Sequence, residues 1–304
     1  MTITRRAFSE LLLGLGVAAA FPISLSGCAR SNGEPPNTAV DTHAHVFTRD
    51  LAMPDQRRAP SGYDARPEDY LQQLDANGIS HGVLVQPSFL GTDNSYLVDA
   101  LRRYPQRLRG IAVVEPAISP SALEPLAAAG VVGVRLNLID QPIPNFSETP
   151  WPALLQWAQA NNWQVEVHRE ARDLPTIVGP LLDHGVNVVV DHFGRPDPQL
   201  GVDDPGFRYL LSLGETRRVW VKLSGAYRNG DDGRGDAIAL AAAPLLQSAF
   251  GPERLLWGSD WPHTRFENSV NFPATRAQLD SWIPDPTERN VALGDTPKQL
   301  YRFA

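Results

Sequence analysis

A closed (β/α)8 barrel, the TIM-barrel architecture, is the fold this sequence predicts, on two observations. From residue 40 onward, short runs rich in Val, Ile and Leu alternate with amphipathic stretches about eight times, without a break. Unbroken alternation of this kind builds a parallel sheet, and eight units are enough to close it. The apolar runs also show little alternation of their own, as expected of parallel strands covered on both faces. An open doubly wound sheet competes, but it wants a glycine-rich phosphate turn after the first strand, and none is present. No linker or shift of composition divides 40–304, so that span reads as a single domain.

The elements follow in order. Strand 1, Ala39–Phe47, carries Asp41, His43 and His45 at alternate positions, which puts them on one face with the two histidines about 7 Å apart. A helix over Pro67–Asp75 is closed by Asn77-Gly78. Strand 2, Gly82–Gln86, ends in Gln86, and a helix over Asn94–Tyr104 stops before Pro105. Strand 3, Leu108–Val114, leads to Glu115, and a helix capped by Ser119-Pro120 runs to Gly130. Strand 4, Val131–Leu138, sets Arg135 and Asn137 on one face, ahead of a helix over Pro152–Asn161. Strand 5, Gln164–His168, does the same for Glu166 and His168, and a helix over Leu174–His184 follows. Strand 6, Asn187–Asp191, delivers His192 and, three residues on, Arg195. After a helix over Phe207–Glu215, strand 7, Val219–Leu223, brings Lys222 and Ser224, with Tyr227 and Arg228 just beyond. A helix over Ala237–Phe250 leads to strand 8, Arg254–Trp257, which runs on to Asp260. Pro273–Trp282 and Thr296–Tyr301 read as closing helices.

Chemistry in such a barrel belongs at the C-terminal strand ends. Four of the seven histidines, His43, His45, His168 and His192, fall there. Any one alone would more often be a hydrogen-bonded structural residue. Together with Asp260 at the last strand end they point to a metal site, because neutral imidazole and carboxylate are good ligands for a divalent ion. His81, at the opposite end of the barrel, and His184, at a helix end, are assigned to the surface. His263 suits either role. Tyr63, Phe89 and Trp261 are candidate pocket walls, although aromatics are as often packing.

Charge and the first residues bound the partners. The formal net charge is −7 with no long basic run, which excludes a nucleic-acid partner, since phosphate binding needs clustered Lys and Arg. Arg5-Arg6 precede an apolar run from Leu11 to Phe21, too short to span a membrane but suited to an export signal of twin-arginine type. Leu25-Ser26-Gly27-Cys28 resembles a bacterial lipobox, in which the cysteine is acylated. Cys28 is the single cysteine, so no disulfide forms within the chain. Residues 1–27 are therefore read as a lipoprotein signal, 28–39 as a polar Gly/Pro-punctuated tether, and 40–304 as the barrel. The expected location is the cell envelope, with the membrane met only through a lipid anchor and the barrel facing the periplasm or exterior.

His43-Ala44-His45, His168, Val190-Asp191-His192-Phe193-Gly194-Arg195-Pro196 and Leu256-Trp257-Gly258-Ser259-Asp260-Trp261-Pro262-His263 together resemble the amidohydrolase superfamily. Within it the chain is most similar to the branch of 2-pyrone-4,6-dicarboxylate lactonase and the sugar lactonases. Gly133-Val134-Arg135-Leu136-Asn137, Val85-Gln86 and the terminal Leu300-Tyr301 extend the likeness over almost the whole domain. The resemblance implies a hydrolase in which Asp260 is the general base and His43, His45 and His192 surround the substrate carbonyl. It implies that Arg135, Arg195 and Arg228, helped by Asn137 and Gln86, hold an anionic or polyhydroxylated lactone, as the planar guanidinium fork would suit. The dicarboxylate lactonase resembles a metal-free enzyme with tyrosine where His168 stands, whereas metal-dependent relatives place a zinc-binding histidine on strand 5. A His43/His45/His168/Asp260 zinc set is thus expected here, beside a metal-free version in which the histidines act alone. The absence of an arginine near Gln141 sets this chain apart from the dicarboxylate lactonase. Lactone hydrolysis is the leading expectation; a metal-dependent non-oxidative decarboxylase and a non-catalytic binding lipoprotein are the alternatives.

Overall fold

A computed structural model describes residues 38–54, 59–60 and 62–304. The expected signal over 1–27, Cys28 and most of the 28–39 tether lie outside the described residues. Eight strands form one parallel sheet in sequential order: β1 (Val40–Ala44), β2 (His81–Val85), β3 (Leu108–Ala112), β4 (Val131–Asn137), β5 (Gln164–His168), β6 (Asn187–Val190), β7 (Val219–Leu223) and β8 (Leu255–Trp257). Between and after them lie α1 (Pro67–Ala76), α2 (Ser95–Arg103), α3 (Pro120–Ala128), α4 (Trp151–Ala160), α5 (Leu174–Asp183), α6 (Pro205–Ser212), α7 (Arg234–Phe250) and α8 (Phe272–Trp282). Each expected element is present within a few residues. The short α9 (Pro286–Asn290) and a π-turn over Val291–Asp295 join α8 to α10 (Thr296–Tyr301) and were not anticipated, because five residues are too few to show a helical period.

Closure is irregular where β8 meets β1. Instead of a ladder, Asp260 N donates to His43 O at 2.8 Å and His45 N donates to Trp261 O at 2.8 Å. The seam is tightened by Asp41, which accepts from Ser259 N at 2.8 Å and Ser259 Oγ at 2.5 Å. This corrects the expected face of Asp41. The β1–β2 register shifts between Asp41 and Ala44, a bulge that breaks the two-residue period and re-aims the side chains after it. Gly258 is required beside this turn, since a Cβ there would come within 2.6 Å of His43 Cβ.

The core has two main parts, beside a small cluster of Phe47, Ala65, Phe89 and Leu90. The larger packs the outer strand faces against the helices. The smaller contains Val40, Val83, Val85, Ile111, Val132, Val189, Trp220 and Leu256 with Tyr301 and Phe303. Those residues come from every strand except β5, so they fill the barrel interior, plugged by the C-terminal segment. β5 supplies Gln164 and Glu166 instead. Glu166, Lys222, Asp191 and Arg135 are all buried. Lys222 Nζ lies 2.5 Å from Glu166 Oε2 and 3.6 Å from Asp191 Oδ1, while Arg135 Nη2 lies 2.7 Å from Asp191 Oδ2. Two cations and two carboxylates thus face one another beneath the surface.

Removing one member of a buried pair costs more than the pair contributes. Lys222→Met should lower the unfolding free energy by about 3–5 kcal/mol, and Lys222→Met with Glu166→Gln by clearly less. Urea unfolding of the two variants measures the difference; equal losses would mean that the charges do not act as a unit.

Candidate active site

β1, β4, β5 and β6 and the segments after β7 and β8 deliver their polar ends to one cavity of about 40 Å³, lined by His45, Phe89, Arg135, His168, His192, Arg228 and Asp260 among others. Asp260 reaches it because the chain turns just after β8 in a left-handed conformation, φ 61°. His192 and Arg195 share that conformation, each at φ 52°. Such strain in non-glycine residues persists only where the surroundings over-determine it, commonly at functional sites.

The histidines are oriented from behind. His45 Nδ1 lies 2.7 Å from Val85 O, which fixes the hydrogen on Nδ1 and leaves the Nε2 lone pair toward Asp260 Oδ1 at 3.6 Å. His43 Nε2 lies 3.9 Å from the same oxygen. On its other side, His43 Nδ1 has a donor, Lys222 Nζ at 3.1 Å, and an acceptor, Asp191 Oδ1 at 3.3 Å. Donation to Asp191 frees Nε2 as a ligand; acceptance from Lys222 turns Nε2 into a hydrogen-bond donor. His192 Nδ1 pairs with Ser224 Oγ at 2.9 Å.

Asp260 is held asymmetrically. Its Oδ2 accepts from Tyr227 at 2.8 Å and from Arg228 Nε. Its Oδ1 has no hydrogen-bond partner, like His43 Nε2. Burial pushes the Asp260 carboxyl up, but Arg228, His192 and His45 outweigh it and keep the group well below the usual carboxylate range. Burial also lowers His43 and His45 and brings His192 down to about 3, so the imidazoles are neutral at neutral pH. Gly225 is essential here: at φ 54°, its Cβ would meet His192 Nδ1 at 2.8 Å and Asp260 Oδ2 at 2.9 Å.

His43, His45 and Asp260 offer ligand atoms within 4.8 Å of one another. Two neutral imidazole nitrogens and a carboxylate oxygen, with spacings near the roughly 3.4 Å edge of a tetrahedron of 2.0–2.1 Å bonds, suit a divalent metal with open positions. The two orphaned atoms and the His45 tautomer make the same point. A second group, His43, Asp191 and His192, meets the same spacing.

The structure sorts the expected residues. His168 lines the cavity, with its ring 5.3 Å from that of His192, but stands outside both ligand groups. Gln86 is not among the lining residues, and its amide donates to Asp93 O at 2.8 Å, which ties down the loop after β2. Arg135 lines the cavity, yet its Nε and Nη2 are spent on Asp191. Arg228 lines it bound to Asp260. Asn137 and Arg195 are not among the lining residues, although the Asn137 amide and Arg195 Nε and Nη1 are buried without hydrogen-bond partners. Phe89 is a wall, whereas Tyr63 and Trp261 pack on Phe47 and Tyr70. Glu166, Lys222, Ser224 and Tyr227 stand at or just beyond strand ends with no role expected from the sequence, and the structure gives each a partner in the site. The signal available was two opposite charges within apolar strands, which burial obliges to pair.

The sequence profile of the family described as Amidohydrolase matches residues 40–303. A 4-sulfomuconolactone hydrolase of Rhizobium radiobacter is 32% identical over 273 residues, 88% of this chain and 90% of that protein. A crystal structure described as a candidate 2-pyrone-4,6-dicarboxylic acid hydrolase from Pseudomonas putida superposes with TM-score 0.82 at 46% identity, over 88% of this chain and 98% of that one. Another, from Acinetobacter baumannii with citric acid bound, gives TM-score 0.84 at 37% identity, over 88% and 100%.

The buried imidazoles make stability depend on pH. His192 at about 3 and His263 at about 4 sit below the ordinary 6.5, so on acidification the unfolded chain takes up protons first and stability falls. Asp41 at about 6 and Glu166 at about 7 are raised by burial and act in the opposite sense. Five lowered histidines, counting His43, His45 and His81, outnumber them. The thermal midpoint should therefore fall steadily from pH 6.5 to pH 4.5; a flat or rising midpoint would contradict neutral imidazoles.

Proposed function

Because the chain belongs to the amidohydrolase family, we propose that it is a hydrolase that opens the ring of a small anionic lactone with a water activated by Asp260. The observation that carries this is Asp260 Oδ1: buried, unpartnered, and facing the Nε2 atoms of His43 and His45 at 3.9 and 3.6 Å. Relatives named as lactone hydrolases support the ester chemistry.

Water placed at Oδ1 gives its proton to Asp260 as its oxygen attacks the carbonyl carbon. With Ser224 donating to Nδ1, His192 keeps its Nε2 hydrogen for the carbonyl oxygen as that atom becomes an oxyanion. The ring C–O bond then breaks, and Asp260 returns the proton to the leaving oxygen. His43, His45 and Asp260 would hold a divalent metal, which we take to be zinc; when bound it supplies a Lewis acid to the carbonyl and a lowered water pKa. Without metal, the Lys222-facing tautomer of His43 donates to the carbonyl from Nε2, so the chain's own residues provide for both arrangements.

Substrate charge is read by arginine. Arg195 keeps buried N–H groups without partners, and a carboxylate or sulfonate would satisfy them. Arg228 is bound to the base itself, so an anionic substrate that draws it away removes the largest influence holding Asp260 down and makes it more basic at the moment of use. The Acinetobacter relative was crystallised with citric acid bound, so a protein of this fold takes up a small polycarboxylate.

Asp260→Asn should cut turnover of carboxylated lactones by about 10²–10⁴-fold while anion binding persists, followed by calorimetry. Chelation followed by metal analysis separates the two arrangements of His43: full activity in metal-free protein removes zinc and leaves the base. Undiminished turnover by the Asn variant would overturn the reading. We further propose an envelope location, with Cys28 acylated after twin-arginine export. Intact mass of the native chain reads this directly, and an unmodified residue 28 would exclude it.

A further inference from the structure

The barrel end opposite the catalytic cavity carries cations that the reaction does not use. Arg109 lies in β3, Arg217 and Arg218 directly precede β7, Arg254 directly precedes β8, and Arg302 follows α10. They adjoin one another: Arg109 Nη2 donates to Arg302 O at 3.1 Å, and Arg254 Nε donates to Arg217 O at 3.0 Å. Among the described residues, the hydrogen bonds of Arg109, Arg218, Arg254 and Arg302 go to main-chain carbonyls and not to carboxylates. Arg107 and Lys298 stand nearby, and with Arg109 they reinforce the effect of burial in lowering His81. Arg107 is paired with Asp75, and the Glu253 carboxylate acts on Arg254 against the effect of burial. For a chain of net charge −7 this is a concentration of positive charge against the average.

The surface is also shaped. Two grooves flank Arg302, one of about 380 Å³ containing Arg109 and Arg302, the other of about 510 Å³ containing Arg217, Arg254 and Arg302. The guanidinium groups are braced on rings, Arg109 over Phe303 at 4.8 Å and Arg254 over Trp220 at 4.6 Å. The rings and main-chain carbonyls hold both guanidinium groups in place without neutralising their charge, so each remains a fixed cation for an oxyanion.

The chain enters the barrel at this same end. Ala39 O accepts from Ser80 N at 2.9 Å and His81 N at 3.0 Å, and the His81 ring lies 4.6 Å from Phe303. Cys28 stands eleven residues before Ala39, a length that reaches about 36–40 Å when extended and about 18 Å as a flexible coil. An acyl group at Cys28 would therefore tether the barrel from this face.

We propose that the N-terminal face of the barrel is a docking surface for an anionic phospholipid bilayer, with headgroup phosphates against Arg109, Arg217, Arg254 and Arg302. Clustered cations near such a surface are attracted within a Debye length of about 8–10 Å. The catalytic cavity, at the other barrel end, then opens away from the lipid toward dissolved substrate. The direction of approach rests on the acylation reading; the affinity of the face does not.

The test uses the full chain with Cys28→Ser, which cannot be acylated, mixed with vesicles of phosphatidylglycerol and phosphatidylcholine or of phosphatidylcholine alone. It should co-sediment preferentially with the anionic vesicles at low salt, and raising salt should weaken that preference about tenfold. Adding Arg217→Glu and Arg302→Glu, both on exposed side chains, should abolish the preference while turnover and thermal midpoint stay unchanged. Any contribution of the apolar Leu11–Phe21 run cancels in this comparison. Equal binding of parent and variant to anionic vesicles, or no preference by the parent, would overturn the proposal. An unmodified residue 28 in the native chain would remove only the tether.

Discussion

Lys222 stands without solvent between Glu166, Asp191 and His43, and that contact governs what the barrel can do. An isolated ammonium in such a place would lose its proton or unfold the protein. Here the carboxylates of β5 and β6 answer it, and Arg135 answers Asp191 in turn. The consequence is positional. Each charge must stay where its counter-charge is, so four strands are locked in register beneath the catalytic residues. His43 rests its Nδ1 edge on this group, and its Nε2 edge inherits the rigidity.

The seam between β8 and β1 supplies the other half of the arrangement. A regular ladder would carry the chain past the mouth with alternating side chains. The bulge in β1 and the left-handed turn at Asp260 instead bring His43, His45 and Asp260 together from two adjacent segments. Asp41 makes this stable: it ties Ser259 to β1 through two hydrogen bonds, replacing those lost from the ladder. Gly258 and Gly225 are needed because backbone and side chain pass too closely there for a Cβ. The catalytic geometry and the closure of the barrel are thus one feature, and damage to either reaches the other.

Periodicity made the fold legible. The eight strands, their order and the ends that carry His43, His45, His168, His192 and Asp260 all follow from apolar runs of strand length and from residues placed just after them. What was not legible depends on deviation from period. Two-residue alternation puts Asp41 beside His43, and only the bulge moves it. Gln86 sits at a strand end like a ligand-binding residue, but the loop after β2 needs its amide more than the cavity does. Arg135 looks free to hold a substrate until Asp191, from a strand two positions away, claims it. Long-range pairing of this kind leaves no local mark. The Lys222–Glu166 pair did leave one, since opposite charges within apolar strands must find each other.

The same pairing logic bears on substrate choice. The interior of this barrel already balances its charges: Arg135 and Lys222 against Asp191 and Glu166, Arg228 against Asp260. A divalent ion at His43, His45 and Asp260 would leave the cavity positive, and the buried, unpartnered N–H groups of Arg195 add to the demand for an anion. A neutral lactone does nothing to correct this. On the proposed function, a lactone bearing a carboxylate or sulfonate would restore the balance and, in doing so, compete with Asp260 for Arg228. Recognition and activation of the base then follow from one exchange of partners, which is why a barrel so heavily committed to internal ion pairs can still keep a carboxylate ready to take a proton.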